Sequence, residues 1–218
     1  MANDYRYIGK SVRRHDAIDK VTGAGSYVGD MKLNGMLHAK LKTSPHAHAK
    51  ILSIDTDKAE ALPGVRAVVT GEQGAYKAGI YMVDRSIIAT DKVRFYGEVV
   101  AAVAAVTPEI AEQAVDLIEV EYEVLPAVHD VCESDQPDSQ LVHPALGSYS
   151  WTQGVFFPEP GTNVASNIKI RKGDVDEGFK KAYLILENTY RQPQVYHIPL
   201  ETHASIVQWG QKDQVTIW

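Results

Sequence analysis

Apolar and polar positions along the chain follow two periods that change over at definite points. In EVVAAVAAVTPEIAEQAVDLIEVEYEVLP, a Val/Ala run gives way at Thr107 to apolar residues at helical spacing, Ile110, Ala114, Leu117 and Ile118. From Ile118 onward, Val120, Tyr122 and Val124 alternate with Glu119, Glu121 and Glu123. A period of 3.6 turning into a period of 2 predicts a helix feeding a half-exposed strand. Thr107 is a natural N-cap, Pro108 occupies the first helical position where its missing N–H is no loss, and Glu109 complements the helix dipole.

Two other stretches share this grammar. KILSIDTDKAEALPGVRAVVTG reads as a strand at Ile51–Ile54, a cap at Asp55 or Thr56, a helix over Asp57–Leu62, a stop at Pro63 and Gly64, and a return strand at Val65–Val69. NIKIRKGDVDEGFKKAYLILENTYRQ reads as a cap at Asp174, a helix over Val175–Ala182 and a strand at Tyr183–Tyr190. Strands outnumber helices, which predicts α+β or open α/β architecture and not a bundle or a sandwich. Between the second and third units runs HDVCESDQPDSQLVHPALGSYSWTQGVFFPEPGTNVAS, rich in Pro, Ser, Gly and acids, so a boundary is expected near residues 133–163.

Composition narrows the classes. The 218 residues are 44% hydrophobic and 23% charged, ordinary for a globular chain long enough to bury a core without staples. Twenty-eight acidic against 22 basic residues give a net charge of -6 with no long block of either sign, which argues against a nucleic-acid partner. A single cysteine, Cys132, excludes an intrachain disulfide, a four-thiolate zinc site and an iron–sulfur cluster held by this chain alone. MANDYRYIGKSVRRHD has no apolar signal region, and Val99–Val106 is too short to cross a bilayer, so a soluble, cytoplasmic protein with no membrane partner is expected.

Candidate chemistry is sparse. TGAGSYVGD and TGEQGAYKAG lack the strand and helix context of a nucleotide-binding loop, and their glycines read as turn residues. His46 and His48 form an HxH pair that could begin a metal site, but no third ligand lies at a persuasive spacing; histidines bonded to backbone or plugged against a neighbour fit better. His197, Glu201 and His203 would share one face of a strand beginning near Tyr196, although Pro199 would interrupt its ladder. With no nucleophile or ligand set around them, they point to a buried polar network.

Five segments, in order, also carry a resemblance: GKSVRRHDAIDKVTGAGSYVGD, SPHAHAKILSID, LPGVRAVVTG, DKVRFYGEVVAAVAAVTPEIAEQAVDLIEVEYEVLPAV and YHIPLETHASIV. Together they resemble the start of the molybdenum-containing large subunit of the xanthine dehydrogenase/aldehyde oxidase family. The resemblance implies an α+β chain: an α/β hammerhead domain over residues 1–132, a linker over 133–163, and the first strands of a molybdopterin-binding domain over 164–218. In that family the cofactor domain continues after the segment like YHIPLETHAS. Its GGGFGGK-type and FRGFG-type stretches and its active-site glutamate are expected beyond Trp218, so no catalytic residue is assigned here.

What the resemblance implies is a segment or split subunit of a molybdopterin-dependent hydroxylase acting on aldehydes or N-heteroaromatics such as purines. Such a segment would be active only in a complex, contributing scaffold and one wall of the substrate channel. No cofactor is expected on this chain alone; molybdopterin with molybdenum belongs to the assembled enzyme, and iron–sulfur clusters to other chains. Expected partners are the chain carrying the rest of the molybdopterin domain, an iron–sulfur subunit and a small-molecule substrate. By alignment on DKVRFYGEVV, Tyr81 and Met82 in AGIYMVDRSII fall where the family lines its substrate funnel. The competing reading is a non-catalytic interaction or ligand-binding module that retains the hammerhead fold.

Overall fold

A computed structural model describes residues 5–218. In chain order its elements are α1 (Ala17–Thr22), β1 (His38–Thr43), β2 (Ala49–Asp55), α2 (Asp57–Glu60), β3 (Val65–Thr70), β4 (Lys77–Ala78), β5 (Arg85–Ser86), β6 (Lys92–Val93) and β7 (Val99–Ala105). There follow α3 (Pro108–Leu117), β8 (Glu119–Val124), α4 (Val131–Ser134), α5 (Val175–Lys181), β9 (Val207–Trp209) and β10 (Val215–Ile217). The described residues fall into two compact units, one of Gly35–Ile185 and one of the residues up to Asn34 together with Leu186–Trp218. Mixed helix and antiparallel sheet make the chain α+β, as the periodicity predicts.

The larger unit is built on two three-stranded antiparallel sheets, β1-β7-β3 and β6-β2-β8. The apolar run that is too short for a membrane is β7, the central strand of the first sheet, and its two faces serve two clusters. Ala101 and Val103 pack with Ala59, Ala114 and Ile118 on one side. Val100 packs with Ala49, Ala89 and Val93 on the other, where Tyr122 and Val120 close the layer. Alternate residues of a strand point to opposite faces, so one seven-residue strand joins both clusters. Alanines at the contact positions of α3 let the helix backbone sit close to the sheet.

The helix-to-strand switch forms as its residues dictate. Thr107 is extended and its Oγ1 accepts from Ile110 N at 3.3 Å, with Pro108 in the first turn. The helix ends at Leu117, and β8 turns its glutamates outward, where Lys58, Ser53 and Lys50 bond Glu119, Glu121 and Glu123. The first helix of the series is shorter than its pattern: α2 ends at Glu60, and Gly64, at φ 98, carries the chain into β3. A Cβ at Gly64 would press on the Ile110 side chain, so this turn is tied to the packing of α3.

The third unit departs from expectation after its helix. Asp174 Oδ1 caps α5 by accepting from Glu177 N at 3.0 Å, but Tyr183–Tyr190 forms no strand and its residues are exposed. The strand expected from Tyr196 is likewise absent: Ile198 takes φ 41, which breaks the alternation that would have aligned 197, 201 and 203. A strand is stable only when its backbone groups find a partner ladder, and neither segment has one among the described residues. Pairing resumes only in the β9–β10 hairpin, closed by reciprocal bonds between Ile206 and Trp218.

Candidate functional site

One concave feature of the larger unit is built around the loop that joins β4 to β5. Among the described residues these two-residue strands pair only with each other, Lys77 with Ser86 and Ala78 with Arg85. The loop between them curls so tightly that a Cβ at Gly79 would overlap the Met82 carbonyl oxygen, so glycine is required there. Tyr81 is 56% exposed at the tip, whereas Met82 is 5% exposed and turned inward. The alternation along the loop thus separates two residues that the sequence pairs.

Met82 packs with Leu146 and Tyr149, bordered by Trp151 and Phe156, all from the Pro/Gly-rich connecting segment. The same segment bonds the loop backbone on both sides of Met82: Val83 N donates to Ser150 O and Thr152 N to Tyr81 O, each at 2.8 Å. Tyr81 and Phe156 stack with centroids 6.1 Å apart and planes 10° from parallel. The Lys77 ammonium lies 4.5 Å from the centre of the Tyr149 ring. Beside the stacked rings is an open groove of about 480 Å³ lined by Ala78, Ile80, Tyr81, Met82 and Phe156, together with Asp84 and Arg85.

A second cavity of about 360 Å³ lies behind Asp84, among His129, His143, Leu146 and Asn163. Its polar lining is mostly occupied with local structure. The Asn163 amide donates to Ser134 O and Gln140 O and accepts from Val142 N. His143 Nδ1 meets the Tyr149 hydroxyl at 3.1 Å, and burial, then the Arg94 charge, hold its pKa below the usual histidine range.

The HxH pair serves the fold. His48 is buried, with Nδ1 2.7 Å from Pro126 O and Nε2 3.2 Å from Lys92 Nζ. A carbonyl can only accept, so this geometry assigns the proton to Nδ1 and makes Nε2 the acceptor of the Lys92 bond. Burial, followed by the Arg94 charge, lowers the Lys92 pKa. His46 packs edge-on against Tyr122. Glu98, 4% exposed before β7, accepts from Arg94 N at 2.5 Å. Burial pushes its carboxyl above the ordinary glutamate range, opposed by that hydrogen bond and by the charges of Arg94 and Arg85.

His197, Glu201 and His203 are exposed, and among the described residues no hydrogen bond joins them. Every residue from Tyr183 to Ser205 is exposed, and no group of three or more His, Cys, Asp or Glu among the described residues could hold a metal ion. A bound pterin needs enclosing donors, so this segment as it stands does not fit the group, and no chemical step runs through it here. Residues that sequence reasoning passed over, Leu146, Tyr149, Trp151 and Phe156, are the ones that hold the groove together. The aromatic density of SYSWTQGVFF inside a loop-like composition is the signal that marks them.

Comparison with known proteins supplies the class. Residues 22–126 match the aldehyde oxidase and xanthine dehydrogenase a/b hammerhead domain, and residues 156–218 match the molybdopterin cofactor-binding domain. The chain is 36% identical over 195 residues to a probable xanthine dehydrogenase subunit of Bacillus subtilis (strain 168), covering 88% of this chain and 24% of that protein. It is 31% identical over 219 residues to the nicotinate dehydrogenase large molybdopterin subunit of Eubacterium barkeri, covering 100% of this chain and 48% of that one. Its fold superposes on quinoline 2-oxidoreductase from Pseudomonas putida 86 with a TM-score of 0.79 at 32% identity, covering 96% of this chain and 26% of that chain.

With both domain matches in the same order, the chain belongs to the aldehyde oxidase/xanthine dehydrogenase family and corresponds to the N-terminal part of its molybdopterin-containing large subunit. It spans between about a quarter and a half of the length of these curated relatives. No helix among the described residues is long and apolar enough to cross a membrane.

Proposed function

We propose that this chain supplies the hammerhead domain and the opening of the cofactor domain of a molybdenum hydroxylase, in which the loop Ile80–Met82 forms one wall of the route to the substrate. The domain division follows as residues 1–132, a connection over 133–163, and the cofactor-domain opening over 164–218. Catalysis belongs to an assembly with the rest of the molybdopterin domain and an iron–sulfur subunit in the cytoplasm. Its substrates are aldehydes or N-heteroaromatics such as purines, in keeping with relatives named for xanthine, nicotinate and quinoline. Molybdopterin with molybdenum supplies the redox chemistry of that assembly. His197, Glu201 and His203 become a polar network once the remainder of the domain covers them.

The observation that carries this reading is the open groove beside Tyr81, walled by an exposed aromatic ring whose supporting methionine is locked into the fold. In this role Tyr81 orients and shields a ligand and moves no proton. The test is co-expression with the remaining large-subunit segment and an iron–sulfur subunit, followed by assay on a purine, an aromatic aldehyde and a short aliphatic aldehyde. Tyr81→Ala is expected to shift the kcat/KM ratio between bulky and small substrates several-fold with molybdenum content unchanged. An unchanged ratio refutes the access role, and failure to assemble into any active complex favours the non-catalytic module.

A further inference from the structure

We infer that Phe156 is a specificity-determining residue of the same groove, and that the segment from Leu146 to Phe156 is a strap that positions Tyr81. The inference rests on the access reading above and adds the element that sets the groove's shape.

A two-residue ribbon such as β4–β5 does not hold its own loop in place. The loop's position is therefore decided by what it is tied to, and the ties come from the strap. Met82 makes an antiparallel bridge with Trp151, flanked by the Val83–Ser150 and Thr152–Tyr81 backbone bonds, and its side chain fills the cluster below. After Thr152 the strap turns back, with Val155 N and Phe156 N both donating to Thr152 O at 3.3 and 3.1 Å. That turn returns the Phe156 ring to the Tyr81 ring. Immediately beyond it, Phe157 N donates to Ser166 Oγ at 3.1 Å and Asn167 N to Phe157 O at 2.8 Å, so the strap is held on both sides of Phe156.

The result is a two-ring slab along a mainly apolar groove that the charged residues Asp84 and Arg85 also line. A flat aromatic molecule with a polar edge matches such a surface: its face gains from offset stacking on the slab, while a saturated molecule of equal size gains only burial. Phe156 touches the ligand directly and also acts through Tyr81 by fixing its ring plane.

The test uses the 218-residue chain with indole as the aromatic probe and cyclohexanol as the saturated control, both followed by ligand-observed NMR titration. Phe156→Leu keeps apolar bulk and removes the ring; it should weaken indole about fivefold and leave cyclohexanol unchanged, while Phe156→Tyr restores indole binding. Hydrogen exchange at the Thr152 amide reports whether the strap is still closed. The inference is overturned if wild-type chain does not bind indole, or if Phe156→Leu binds it as wild type does. It is also overturned if indole binding is lost only together with Thr152 protection, because the ring is then packing alone. Should Phe156→Leu weaken indole as expected while Tyr81→Ala leaves the assembled enzyme's substrate ratio unchanged, the access reading fails and the aromatic slab stands.

Discussion

Met82 and Tyr81 are neighbours in sequence with opposite energetic roles, and replacing each by alanine should separate them. Met82 is 5% exposed and packed against Leu146 and Tyr149, so Met82→Ala removes buried methylenes and the thioether and leaves a cavity. Buried Met→Ala changes cost about 2–5 kcal/mol, whereas Met82→Leu, which nearly conserves volume, should cost less than about 1.5 kcal/mol. Tyr81 is 56% exposed and its main packing is the offset stack on Phe156, so Tyr81→Ala should cost about 1 kcal/mol. Urea denaturation of the chain gives the global values. The satellite cluster can also open on its own, so exchange at Val83 N and Thr152 N, which bond across to Ser150 and Tyr81, gives the local ones. If Tyr81→Ala loses as much as Met82→Ala in both measurements, or if Met82→Ala loses less than about 1 kcal/mol in both, the division of the loop into a buried anchor and an exposed wall is wrong. The result matters for function, because only a Tyr81 variant that leaves the anchor intact can report on substrate access.

Two further outcomes test the frame around the site. Thr107→Ala removes the acceptor for Ile110 N and should lower stability by about 1 kcal/mol in denaturant titration, with Thr107→Ser recovering most of it. Glu98→Gln should raise the melting temperature relative to wild type more at pH 7 than at pH 4. A carboxyl whose folded pKa lies above its unfolded value gives full stability below the unfolded value and loses it as pH rises through the folded one, and a neutral glutamine has no such loss. A larger destabilisation by Glu98→Gln at pH 7 than at pH 4 would show that the attraction of the Arg94 and Arg85 charges outweighs burial.

Much of the fold is written in local pattern. The change from period 3.6 to period 2 at Ile118, the Thr107–Pro108 start and the Asp174 cap each specify structure through contacts within a few residues, and α3, β8 and α5 form where those signals lie. The five ordered segments likewise point to the family: four fall wholly or partly within the hammerhead match and the fifth within the molybdopterin-domain match. The candidate site is different. From sequence Tyr81 and Met82 form a pair, and the connecting segment reads as a spacer; packing alone turns Met82 under the loop and brings Phe156, 75 positions further on, against Tyr81. The strands read at Tyr183–Tyr190 and from Tyr196 show the converse limit. Their β-branched and aromatic residues carry the propensity, but a strand exists only where another backbone completes its hydrogen bonds, and that condition is settled by tertiary structure and not by the segment itself.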